Sequence, residues 1–158
     1  MSPVLANTCE QFPYKSYPDI TPYLEPHEEF TGSYTQMYSY QAKTMVSLNK
    51  RYDLLCKRIV ENFKEDKLFV EAFKNDIEAF KVYIETQNAV ALPRNPQEYG
   101  FMYYNMKWEN DYRLTVLQIE NTYKNIVAYC DFNSAFLKDS SVCSQERISK
   151  MFKGLKLK

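Results

Sequence analysis

A single histidine, His27, is the one imidazole this chain has for acid–base work, for activating a nucleophile or for holding a metal. It stands between Pro26 and Glu28, and no Gly-x-Ser-x-Gly elbow offers it a serine. The Glu-x-x-His pairs that build carboxylate-bridged metal centres in helical bundles are missing from the sequence. Carboxylates are plentiful, and Glu71, Asp76, Glu78, Glu85, Glu109 and Asp111 include pairs of the type used to cleave glycosidic bonds. Their spacing puts them on the solvated faces of amphipathic helices. Phosphate-loop and dinucleotide fingerprints are absent. Tyr103, Tyr104 and Trp108 have faces on which bases stack, but no basic stripe runs beside them. These residues point to no catalytic constellation, no cofactor and no metal; what remains is an interaction protein that binds another protein.

Cysteine is the other reactive type. Cys9, Cys56, Cys130 and Cys143 form no Cys-x-x-Cys, so neither a redox motif nor a zinc knuckle is indicated. An even, widely spaced set suits two disulfides in an oxidising compartment, with three pairings open. Reduced, buried thiols in the cytoplasm are the alternative. Val4-Leu5-Ala6 has small residues where a signal peptidase reads them, just before Asn7. A periplasmic or secreted location is therefore expected, with the cytoplasm as the alternative. No run approaches the roughly 18 apolar residues of a membrane span.

Charge is balanced overall, 20 basic against 20 acidic residues, which disfavours nucleic acid as a partner. The balance hides an asymmetry. One lysine against five acidic residues leaves positions 1–39 at −4, and six basic against two acidic residues leave positions 138–158 at +4. Either the two ends meet, or one of them steers a partner.

The elements that would position such surfaces are helices. Three glycines in 158 residues is far below the usual share of about 7%, which suits long helices and disfavours hairpins and barrels. Residues 1–32 carry five prolines interleaved with aromatics, and are expected to form an extended arm packed on the body. Residues 33–158 form the helical domain. A first helix starts after Ser33, a candidate N-cap, and runs to about Phe63, with Met45, Leu48, Tyr52, Leu55, Ile59 and Phe63 on one stripe. A second begins near Asp66, carries Phe73, Ile77, Phe80 and Ile84, and ends before Pro93. Residues 91–98 read as a loop. A third runs from about Gly100 to Tyr129, with Tyr112, Val116, Ile119, Tyr123 and Ile126 inward; residues 131–141 extend it or turn. A short fourth follows Ser144. The fold class expected is all-α, an antiparallel bundle of three long helices plus a short C-terminal helix. Fourteen tyrosines exceed what this core needs. The surplus near helix starts, including Tyr103 and Tyr104, either covers the arm or binds a partner.

Two segments resemble the LprI-type lysozyme-inhibitor domain family of bacterial envelope proteins. Leu48-Asn49-Lys50-Arg51-Tyr52-Asp53-Leu54-Leu55 resembles one family helix, and Ala79-Phe80-Lys81-Val82-Tyr83-Ile84-Glu85 another, with Phe80 at a tryptophan position; Arg113 and Leu117 match a third. The likeness spans about residues 36–120. Ile84 and Glu85 depart from the family's Arg-Asp, and its two linking cysteines fall at Asn88 and Asn105. The resemblance implies an exported, helical, non-enzymatic protein and, more loosely, inhibition of lysozyme. A protein that blocks a basic cell-wall-degrading enzyme, or confers immunity to a rival's toxin, would offer carboxylates. Tyr23, Glu25, Glu28, Glu29 and Phe30, with Tyr103 and Tyr104, are the expected contact residues. The alternative is a helical adaptor or secreted effector domain without enzymatic activity.

Overall fold

The structure, a computed structural model, describes residues 34–155, with side chains from residue 39 onward. Helix α1 spans Tyr34–Asn62, α2 Lys67–Ala91, α3 Pro96–Tyr99, α4 Tyr103–Asn133 and α5 Gln145–Met151. Short 3₁₀ turns at Gly100–Met102, Ser134–Phe136 and Ser140–Cys143 complete the order, and no strand occurs among the described residues. The fold is the all-α bundle expected. The expected arm, the Ser33 cap, Cys9 and His27 lie outside the described residues.

α1 contains neither proline nor glycine, and its stripe Met45, Leu48, Tyr52, Leu55, Ile59 and Phe63 is buried throughout. It stops where Asp66 folds back, donating its amide to the Phe63 carbonyl at 2.9 Å. Asp66, in extended backbone, then caps α2: its carboxylate accepts the Phe69 amide at 3.1 Å. α2 ends at Ala91 because Pro93 keeps Leu92 out of helical backbone.

The expected loop over residues 91–98 is half right. Pro96 occupies a first-turn position, where its missing N–H costs nothing, and the Asn95 amide donates to the Glu98 carboxylate at 2.9 Å, so residues 96–99 form one helical turn. Gly100, at φ 65°, then breaks the turn, and α4 begins at Tyr103 rather than at Gly100.

α1 and α4 run parallel. Phe63 meets Tyr129 edge-on at 5.4 Å, and Tyr52 lies beside Gln118, eleven residues back on each helix. α2 runs antiparallel to both: Phe69 touches Phe63 and Tyr129 at one end, and Asn88 bonds to Asp111 at the other. α4 buries Thr115 and Thr122 with Val116, Ile119 and Ile126; each threonine hydroxyl donates to the carbonyl four residues earlier at 2.8 Å. Tyr123, expected inward, is 48% exposed because the threonine face, not the tyrosine, meets the bundle. It packs edge-on against Phe152 below α5 instead.

Candidate functional site

The parallel run of α1 and α4 gives the bundle two unlike ends. At one lie the start of α1, the end of α2, α3 and the start of α4. Here the rings of Tyr99, Tyr103, Tyr104 and Trp108 follow one another with centroids 6.1, 5.3 and 5.8 Å apart. Tyr103 and its neighbour Tyr104 differ in burial: Tyr103 is half-buried, while Tyr104 is 58% exposed, with Phe101 exposed nearby in sequence. So the two tyrosines singled out from the sequence do share one surface. Tyr23, Glu25, Glu28, Glu29 and Phe30 lie outside the described residues; Tyr34, the first residue of α1, is at this end.

A polar network, unread in the sequence, stands behind the ladder. Asp111 is buried, accepting from Lys107 at 2.8 Å and from the Asn88 amide at 2.5 Å. The Asn110 amide donates to Asn88 at 2.9 Å, and Arg113 donates to Asn110 at 2.7 Å. Asp111 was expected on a solvated face; it is buried because Asn88 and Lys107 replace the water it loses. Asn88 thus ties α2 to α4 by hydrogen bonds. Of the other carboxylates, Glu78 pairs with Lys81, and Asp76 accepts from Gln118. Glu71, Glu85 and Glu109 are exposed.

The opposite end is clamped. After α4 the chain returns along α1 as a strap, fastened by a Cys130–Cys143 disulfide with Cα atoms 5.6 Å apart. The Arg58 guanidinium donates to the carbonyls of Met151 and Lys153 at 3.2 and 2.7 Å, and the Asn62 amide donates to the Val142 carbonyl at 2.9 Å. Ser144 caps α5 as expected, accepting the Arg147 amide at 3.3 Å. Beneath the strap, Met151 and Leu155 are buried. Cys56, the other described cysteine, is a free thiol in the core, so the described residues hold one disulfide and not two. Burial pushes the Cys56 thiol up to about 11 and raises the neighbouring Tyr52 phenol as well. That thiol stays protonated and unreactive at neutral pH.

Between the strap and the α1–α2 turn opens a groove of about 1510 Å³. This exceeds the roughly 300–1,000 Å³ of small-molecule pockets and suits a polypeptide segment. Its floor includes Phe63, Phe69 and Tyr129; on its rim, Leu68 and Phe136 are 81% and 82% exposed. Tyr129 donates its hydroxyl to Asp66 at 2.5 Å, which holds the Asp66 carboxyl below the usual range, helped by the Phe69 amide. Burial and the same bond raise the Tyr129 phenol.

Among the described residues no group of three or more His, Cys, Asp or Glu is arranged to hold a metal ion. No described helix is long and apolar enough to cross a membrane. Comparison with protein-family models, with curated proteins and with solved structures returns no match.

Proposed function

We propose that this chain is a non-catalytic binding module of the bacterial envelope, and that it grips a cationic cell-wall-degrading enzyme, a lysozyme or a rival's toxin, with its aromatic end. One observation carries the reading: the Tyr99–Tyr103–Tyr104–Trp108 ladder shares an end of the bundle with Tyr34, where the acidic segment holding Glu25, Glu28 and Glu29 is attached. Rigid aromatics on helices supply large contact area at little entropic cost, and they dominate binding hot spots. Carboxylates beside them steer a basic partner and enter its cleft as mimics of an acidic substrate. The Lys107–Asp111–Asn88 network stiffens the surface from behind. The Cys130–Cys143 disulfide accords with an oxidising compartment.

The test is lysis of peptidoglycan by a basic lysozyme, with and without the purified protein. Inhibition that weakens at least tenfold in Glu25→Gln/Glu28→Gln/Glu29→Gln and in Tyr104→Ala supports the reading; no inhibition at micromolar excess removes it. A helical adaptor is the second reading, favoured by the unpaired Cys56. Thiol titration of protein taken from its native compartment separates the two.

A further inference from the structure

We propose that the groove at the disulfide-clamped end receives the acidic segment around Glu25, Glu28 and Glu29 of a second copy of this chain, so that copies join head to tail. The groove has the complementary chemistry. Lys57, Lys138, Lys150 and Lys153 line it without a described ion pair, whereas Lys64 and Arg147 are paired to Glu61 and Asp139. Arg58 likewise has no described ion pair, and of the lining acids Glu65, Asp66 and Glu146 have none, so five unpaired cations face three unpaired carboxylates and the balance is positive. Leu68 and Phe136 add exposed apolar anchors on the rim, which is where an interaction surface declares itself.

The occupant is written in the same sequence. Tyr23-Leu24-Glu25-Pro26-His27-Glu28-Glu29-Phe30 sets three carboxylates among two aromatics and a leucine. Most of its own copy's groove is out of reach. Glu28 is six residues from Tyr34, a span of at most about 21 Å, and Glu25 is nine away, about 32 Å. The groove begins at Lys57, 23 residues up α1 and about 35 Å from Tyr34, and continues past Asn62 at about 42 Å. Glu28 and Glu29 therefore cannot span to the groove of their own molecule and Glu25 reaches at most its near edge at Lys57, so filling the groove is left to a second copy. The two contact surfaces differ, so the interface is heterologous and does not close at two copies. Glu25, Glu28 and Glu29 cannot fill a neighbour's groove and an enzyme's cleft at once, so assembly and enzyme binding compete for this segment, and sedimentation without the enzyme tests assembly separately.

Sedimentation velocity on the full chain tests it. At about 20 mM salt, where surface charges are little screened, the weight-average mass should climb with concentration beyond twice 18.8 kDa; at about 300 mM it should fall to the monomer. Two charge-reversed variants decide the geometry: Glu25→Lys/Glu28→Lys/Glu29→Lys, and Lys57→Glu/Lys138→Glu/Lys150→Glu. Each alone should stay monomeric, and an equimolar mixture should assemble with concentration as wild type does, with the two variants alternating, because the reversed segment fits the reversed groove and the native segment fits the native groove. Phe136→Ser, which keeps every charge, should weaken assembly at least fivefold, with helical circular dichroism unchanged. A wild type that stays monomeric at about 300 µM and low salt overturns the proposal. So does either reversed variant assembling like wild type, or a mixture that remains two monomers.

Discussion

Asp66 is the residue on which the clamped end most directly turns, because it fastens α2 and α4 with one carboxylate. One oxygen accepts the Phe69 amide and the other the Tyr129 hydroxyl. Losing an N-cap costs about 1 kcal/mol. A hydrogen bond to a charged group contributes about 1.5–3 kcal/mol, and the low figure applies at a half-exposed groove wall. Asp66→Ala should therefore lose about 2.5 kcal/mol, Tyr129→Phe about 1.5, and Asp66→Asn, which keeps an acceptor for the cap, about 1. Because they share one bond, Asp66→Ala and Tyr129→Phe should combine to less than their sum. The pH dependence has a definite sign. The folded Asp66 carboxyl lies below its ordinary value, so its contribution is complete above about pH 4 and is lost as pH falls through the lower folded value. Tyr129 is raised, so its contribution is complete below about pH 10 and is lost as pH rises through the folded value. Urea unfolding followed by circular dichroism, at neutral pH and at stepwise lower pH, measures this. The gap between wild type and Asp66→Asn should close on acidification. A gap that is flat from pH 7 to pH 2, or a Tyr129→Phe change under about 0.3 kcal/mol, would refute the bond's role.

Three further outcomes follow from the packing. Leu55→Ala, at a position with no exposed surface, should cost about 3 kcal/mol in the same unfolding assay, and a value near zero would mean the α1 stripe is not the core. Replacing Cys130 and Cys143 by serine frees a loop of 13 residues; the loss should be about 3 kcal/mol, with hydrogen exchange quickening over α5 before α1. Cys56 should react with Ellman's reagent far more slowly in the native protein than in urea, since burial both shields the thiol and pushes it up to about 11; rapid native reaction would show the core open there.

How much of this was legible in the sequence varies by helix. The α1 stripe was, because each inward position is apolar and the spacing leaves one choice of face. α4 was read less well. Its inward face includes Thr115, Thr122 and Asp111, whose polar groups are satisfied locally or by Asn88, and no hydropathy pattern marks such residues as buried. That misreading sent Tyr123 inward. α3 was hidden by its prolines, although Asn95-Pro96 with Glu98 is itself a helix-start signal. The Cys130–Cys143 pairing was not accessible, because it depends on residues 134–143 winding into 3₁₀ turns that bring the chain back. The groove was missed for a similar reason: three elements far apart in sequence build it. Leu68 and Phe136, large apolar residues off every stripe, were the available hint.

The aromatic end was partly readable, in that Tyr103 and Tyr104 stood out as surplus to the core. What the sequence did not convey is that α1 and α4 start at the same end, which is the ground on which the acidic segment and the tyrosines are proposed to act together. The binding of a basic lysozyme, followed by calorimetry alongside the lysis assay, examines that claim most directly. Saturable binding, weakened by salt and reduced at least tenfold in both the triple-glutamine and the Tyr104→Ala proteins, is the result expected. Heat of dilution alone at micromolar protein, or binding that neither variant changes, would contradict it.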